Sequence, residues 1–175
     1  SRHLKRVLEV YGRAGFVVRT ILMDGEFERI KPLMPSIECN TTAAKEHVSE
    51  AERMVRTVKE RMRGLLATLP FSHVPKRMTI EFVYFVILWL NAFPVKSGIS
   101  QTISPRELLM RWRLDYTKHC RVQPGTYSEV HDEPVPTNTM AWRTHEAIAL
   151  GPTGNLQGSA KFYCINTGRA LKRRS

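Results

Sequence analysis

Apolar residues in the first two thirds of the chain recur at helical steps, and this pattern lays out most of the expected elements. Leu4, Val7, Leu8 and Tyr11 stop before Gly12 and Gly15, which predicts a short amphipathic helix over residues 2–13 closed by glycine. The apolar run that follows, Phe16 and then Val17, Val18, Ile21, Leu22 and Met23, predicts a strand over 16–23 ending at Asp24. Residues 27–34 carry one or two helical turns, stopped by Pro35, and residues 37–41 form a short second strand. Val48, Ala51, Val55, Val58, Met62, Leu65 and Leu66 alternate three- and four-residue steps, as expected of the buried side of a long helix from about 44 to 69.

The most apolar stretch, residues 82–90, lies between Glu81 and Asn91 and falls short of the roughly 20 residues a bilayer span needs. It predicts a buried helix over 78–92, ended by Pro94 and Gly98, and no membrane partner. Ser104 and Pro105, with Glu107 three residues after the serine, supply an N-cap, a first-turn proline and a capping glutamate for a helix carrying Leu108, Leu109 and Trp112. After Tyr116 the texture changes. Pro124-Gly125, Pro134, Pro136, the Gly151-Pro152-Thr153-Gly154 turn and Asn166-Thr167-Gly168 punctuate short β-prone runs such as the one from Lys161 to Ile165. The expected division is therefore 1–115 for the α/β and helical part and 116–175 for a small β-rich module. For Trp89, Trp112 and Trp142 core packing is the default, with Trp142, in the turn-rich part, the one placed for exposure.

At 175 residues and 42% hydrophobic, the chain has ample apolar material for a packed core. Twenty-seven Lys and Arg against 16 Asp and Glu give a net charge of +11, which favours polyanionic partners such as DNA or RNA. Cys39, Cys120 and Cys164 are odd in number and show no CxxC spacing, so neither a disulfide framework nor a zinc ribbon is expected. His119 and Cys120 with His131 and Cys164 match no common metal-ligand spacing. The chain begins Ser-Arg-His-Leu, without an initiator Met or a signal-like segment, as expected of a fragment.

Two carboxylates carry the candidate chemistry. Asp24 ends what reads as a buried strand, where an unpaired carboxylate is costly unless a cation compensates it. Glu52 lies on the long helix with Arg56, Lys59 and Arg63, and at 100° per residue these four fall within about 60° of one another. The plainer reading of Glu52 and Arg56 is an i,i+4 ion pair on a solvated helix. Carboxylates beside a basic ridge are also what metal-assisted chemistry on nucleic acid requires.

Met23-Asp24-Gly25-Glu26-Phe27, followed by Ala51-Glu52-Arg53 and Arg56-Thr57, resembles the core of copia-type retrotransposon integrases. The likeness continues through Trp89-Leu90-Asn91, the helix begun by Ser104-Pro105, and the segment near Thr167-Gly168-Arg169, so it covers most of the chain. It implies an α/β fold, the second part of an RNase H-like core without its first strands, followed by helices and a small C-terminal β module. It also implies an Asp-Asp-Glu site with Asp24 as second acid and Glu52 as third, both binding Mg2+ or Mn2+. Arg56, Lys59 and Arg63 would lie along DNA. The implied activity is metal-dependent DNA end processing and strand transfer, in the nucleus, with DNA ends and target as partners, homo-oligomers open and no small-molecule substrate. The chain departs from the family pattern at several points. No acid before Asp24 takes the first position of the triad, the usual Asn after that acid is absent, the interval to Glu52 is short, and the preceding zinc-binding domain is missing. Two alternatives follow: a basic nucleic-acid-binding relic without catalysis, and a helical interaction module whose charge serves solubility.

Overall fold

The computed structural model describes residues 2–41, 49–96, 98–131, 138–140 and 142–173. It is a mixed α/β structure. Two compact units arise, one from Ser1–Lys59 with Phe93–Trp112, the other from Glu60–Ala92 with Arg113–Ser175.

The first unit opens with α1 (Arg2–Arg13). Its C-terminus closes through two backbone bonds, Phe16 N to Tyr11 O at 3.0 Å and Gly15 N to Gly12 O at 2.9 Å, with Gly15 at φ 83°. This crossed pair of bonds is the αL closure that glycine favours, and its customary apolar contact is present as an edge-to-face pair of Tyr11 and Phe16, ring centroids 6.2 Å apart. β1 (Thr20–Met23) and β2 (Glu38–Thr41) pair in parallel, Thr20 opposite Glu38 and Met23 opposite Thr41. A 3-10 helix, Gly25–Leu33, connects them, and Lys31 ties its end to β2 by donating to Thr41 Oγ1 at 3.1 Å. α4 (Pro105–Met110) starts as its sequence predicts: Ser104 Oγ accepts from Glu107 N at 3.2 Å and Pro105 takes the first turn. α1 packs against α4, and just beyond α4 Arg111 donates to the Ala14 carbonyl.

Two expectations, for β1 and for the long helix, are corrected. Regular strand begins at Thr20 rather than residue 16, and it is only partly buried: Met23 is buried and Ile21 half-buried, while Leu22 is 53% exposed, Val17 before the strand 83%, and Asp24 lies in solvent. A two-stranded sheet covers little surface, so only part of the apolar run is buried. The apolar side of α2 (Ser49–Ala67) behaves similarly: Met62 is buried and Val58 and Leu65 are half-buried, whereas Ala51, Val55 and Leu66 are exposed. Val48 lies outside the described residues.

The second unit contains the later part of α2, α3 (Lys76–Leu90), α5 (Tyr116–His119) and a four-stranded antiparallel sheet in the order β3-β4-β5-β6. Its strands are β3 (Tyr127–His131), β4 (Thr144–Pro152), β5 (Ala160–Cys164) and β6 (Ala170–Arg173). One face of the sheet buries Val130, Ala147, Ala149, Ala160 and Phe162, with Val122 packed against them. The two edge strands are linked by one side-chain bond, Arg173 Nε on β6 donating to His131 O on β3 at 3.1 Å. α3 packs on β4, burying Met78, Phe82 and Val86 at four-residue steps. Trp89, half-buried, stacks on Tyr116, whose hydroxyl donates to Ala92 O at 3.2 Å. Trp142 is 94% exposed.

Candidate functional site

Asp24 follows the last residue of β1 and opens the 3-10 helix with extended backbone angles, φ −68° and ψ 153°. Its carbonyl accepts from Phe27 N at 2.9 Å, while its side chain makes no capping bond. Because β1 and β2 run in parallel, Asp24 stands at the sheet end from which the chain leaves β2 toward α2. The carboxylates just past it behave as ordinary helix-end charges: Glu28 pairs with Lys31 at 3.4 Å, and both Glu26 and Glu28 are exposed.

Glu52 lies in the first turn of α2 and is exposed. Ser49 and Glu50 precede it, and the Glu50 carboxyl is held below its ordinary value by a backbone hydrogen bond first, then by Ser49 and Arg53. Acids are favoured there because the helix N-terminus leaves N–H groups without intrahelical partners and carries partial positive charge. That is a sufficient reason for Glu50 and an ordinary one for Glu52.

Arg56, Lys59 and Arg63 are all exposed, on one side of a single 19-residue helix, with Arg53 also exposed. The helical spacing and the solvent exposure agree. The burial argument for Asp24 does not survive its exposure. A solvated carboxylate needs no metal to compensate it, and Asp24 has to be argued from its position at the sheet end alone.

Among the described residues, no group of three or more His, Cys, Asp or Glu side chains is placed to hold a metal ion. His119 is occupied elsewhere, its ring nitrogens lying against the carbonyls of Asp115 and Asn155. Among the described residues, no helix is long and apolar enough to cross a membrane.

Three features were not visible in sequence spacing. Glu129 and Glu146 stand directly opposite on β3 and β4, beside Tyr127, whose hydroxyl is pushed to a higher pKa by desolvation first, then by those two carboxylates. Cross-strand register carries that juxtaposition, and a sequence shows register only after the turns are known. Arg106 lies over the Trp112 ring at 4.8 Å, and burial lowers its pKa. In the first unit, a cavity of about 260 Å3 is lined almost wholly by apolar groups, among them Tyr11, Phe16, Val95, Ile103 and Leu109. The glycine closure of α1 was readable and builds one wall of this cavity.

Comparison with protein-family models gives no match, and neither does comparison with curated protein sequences.

Proposed function

We propose that this chain is part of a DNA-handling core of the integrase kind, in which α2 lies along a phosphate backbone through Arg56, Lys59 and Arg63. The observation that carries the reading is the unbroken solvent exposure of those three cations on one side of one helix. A net charge of +11 adds a long-range attraction to any polyanion. Phosphate contacts position a duplex and carry little sequence information, so binding on this surface is expected to be weakly specific.

In the same reading, Asp24 and Glu52 supply two of the carboxylates of an Asp-Asp-Glu site for Mg2+ or Mn2+. Their oxygens are the hard donors these ions prefer. A bound divalent ion would stabilise charge on the phosphoryl oxygens and help generate the attacking oxygen. The chain's own contribution is to hold Asp24 at the end of β1 and Glu52 in the first turn of α2, beside the cations that would fix the DNA. These residues would supply two of the three acids, and their part in the reaction is to bind and position. A nuclear location and assembly with other copies belong to the same proposal.

A second reading keeps the DNA surface and drops the chemistry, and it is favoured by one observation: Asp24 is solvated and needs no counterion. A single set of measurements separates the readings. Mn2+ added to the full chain is expected to raise its melting temperature, since an ion that binds only the folded state stabilises it. That rise should be lost in both Asp24→Asn and Glu52→Gln. No Mn2+ response, with retention on DNA that falls as salt rises, selects the binding-only reading. Retention indifferent to salt discards both and leaves a helical interaction module.

A further inference from the structure

His119 ends α5 and is only 3% exposed. Its Nδ1 lies 2.7 Å from the carbonyl oxygen of Asp115, and its Nε2 lies 2.9 Å from the carbonyl oxygen of Asn155. A backbone carbonyl can only accept, so each ring nitrogen must donate. A neutral imidazole carries one N–H; only the imidazolium carries two. We propose that this pair of bonds is a proton-dependent clasp, fastening the β4–β5 loop to α5 when the ring is charged and loosening it when the proton leaves.

The loop is suited to move as a piece. Thr153 N donates to Ser159 O at 2.8 Å, Asn155 Nδ2 to Ser159 Oγ at 3.0 Å, and Ser159 N to Asn155 Oδ1 at 2.9 Å, so its shape is fixed from within. Against α5 it places Gly158 so close to Lys118 that a Cβ there would come within 2.8 Å of the lysine Cβ. His119 adds the directional link. When the ring loses a proton, either tautomer leaves one nitrogen lone pair facing a carbonyl oxygen at hydrogen-bond distance, and the ring must give up one of the two carbonyls. Both carbonyls have a backbone donor besides the ring, Asp115 O from His119 N at 3.1 Å and Asn155 O from Gly158 N at 3.3 Å, but Asp115 is the N-cap of the helix that carries His119, whereas Asn155 belongs to the loop. The contact between elements, to Asn155, is the one free to part.

The charged neighbours on α5 are Asp115 and Lys118. The Asp115 carboxylate accepts from Thr117 N at 3.0 Å and Thr117 Oγ1 at 2.6 Å and lies 3.4 Å from Lys118 Nζ. Arg121, just after α5, reaches Thr117 O at 3.3 Å. On the loop side, residues 153–159 contain no ionisable side chain. The proton-linked change on this contact therefore belongs to the histidine. Its direction is set by the donor count: the loop is held while the ring carries both protons and released when one of them leaves.

The test uses the full chain, labelled with 15N. Ring nitrogens of His119 are followed by long-range proton–nitrogen correlation from about pH 5 to 8, together with exchange protection at the Gly158 and Ser159 amides. Both nitrogens are expected to bear hydrogen at the low end, and deprotonation should coincide with up to about a tenfold loss of protection in the loop, the scale of one hydrogen bond. His119→Gln should remove that pH-dependent step, and His131→Gln and His145→Gln should leave it in place. A singly protonated ring with the loop still protected overturns the clasp, and so does a step that disappears in either control variant. The titration of the unaltered chain decides the matter even if His119→Gln does not fold.

Discussion

Lys161 on β5 donates its ammonium to the carboxylate of Glu81 on α3, with both side chains largely buried, at 25% and 17% exposure. The ammonium also lies 5.4 Å from the centre of the Tyr84 ring. Helix and sheet are thus joined by one charged contact as well as by the apolar packing of Phe82 and Val86. Leaving either charge without its partner is the expensive change, because the survivor stays desolvated. Glu81→Leu or Lys161→Met alone should each cost about 1.5–3 kcal/mol in denaturant unfolding. The double variant should recover most of that loss, since two apolar side chains of similar volume leave no orphaned charge. Additive losses in the pair would show that the contact contributes nothing as a pair.

Gly151 sits at φ 121° at an irregularity in the β4–β5 register, with its Cα turned toward the ring of Phe85. Any Cβ there meets that ring, and the backbone angle is one that side chains with a Cβ rarely adopt. Gly151→Ala should destabilise the second unit by about 1–3 kcal/mol, the usual cost of overpacking a filled site. A companion change of Phe85 to Leu should return part of it. An unfolding midpoint unchanged in Gly151→Ala would mean that α3 is not seated on β4 as described.

How much of this was written in the sequence differs by element. Gly12 and Gly15, Ser104 with Pro105 and Glu107, and the four-residue steps of Met78, Phe82 and Val86 carry local instructions, and each element starts or stops where those residues require. The exposure of Leu22, Val55 and the first half of α2 was not legible, because an apolar pattern states which side could be buried and not whether a layer exists to bury it. Asp24 was misjudged for the same reason. Its place at the strand end followed from the run before it, and its solvation followed from the thinness of the sheet. The Glu129–Glu146 pair and the two carbonyls on His119 depend on register and on a loop folding back, neither of which leaves a mark in spacing.

Asp115 offers a pH dependence on the acid side. Its carboxyl is held below its ordinary value, by the hydrogen bond from Thr117 foremost and by Lys118 in addition, against a smaller opposing effect of desolvation. A folded-state pKa below the unfolded one means the unfolded chain binds the proton more readily, so the contribution is present above the unfolded value, near pH 4, and is lost as pH falls through the folded value. Asp115→Asn keeps an acceptor for the first turn of α5 and removes the titration. The urea midpoint of the parent should therefore fall more steeply than the variant's below about pH 4. Parallel curves would remove Asp115 from the acid response. The clasp proposed at His119 runs in the opposite direction, loosening as a proton leaves, and Asp115→Asn leaves its donor count unchanged.

The proposed DNA surface on α2 gives the most quantitative prediction. Each phosphate neutralised by a cation releases counterions, so the slope of log affinity against log salt is about −0.9 per contact on duplex DNA. Arg56→Ala with Lys59→Ala, both at exposed positions, should shift the unfolding free energy by no more than about 0.5 kcal/mol. The same double variant should weaken binding to unrelated duplexes alike and flatten the salt slope by about 1.8, with Arg63→Ala flattening it by about 0.9 more. Uniform weakening across sequences marks backbone contacts, whereas a loss confined to one sequence would mark base readout and place α2 in a groove. If the triple variant binds with the parent's slope, the ridge on α2 is a solvated face and the DNA reading of the chain goes with it.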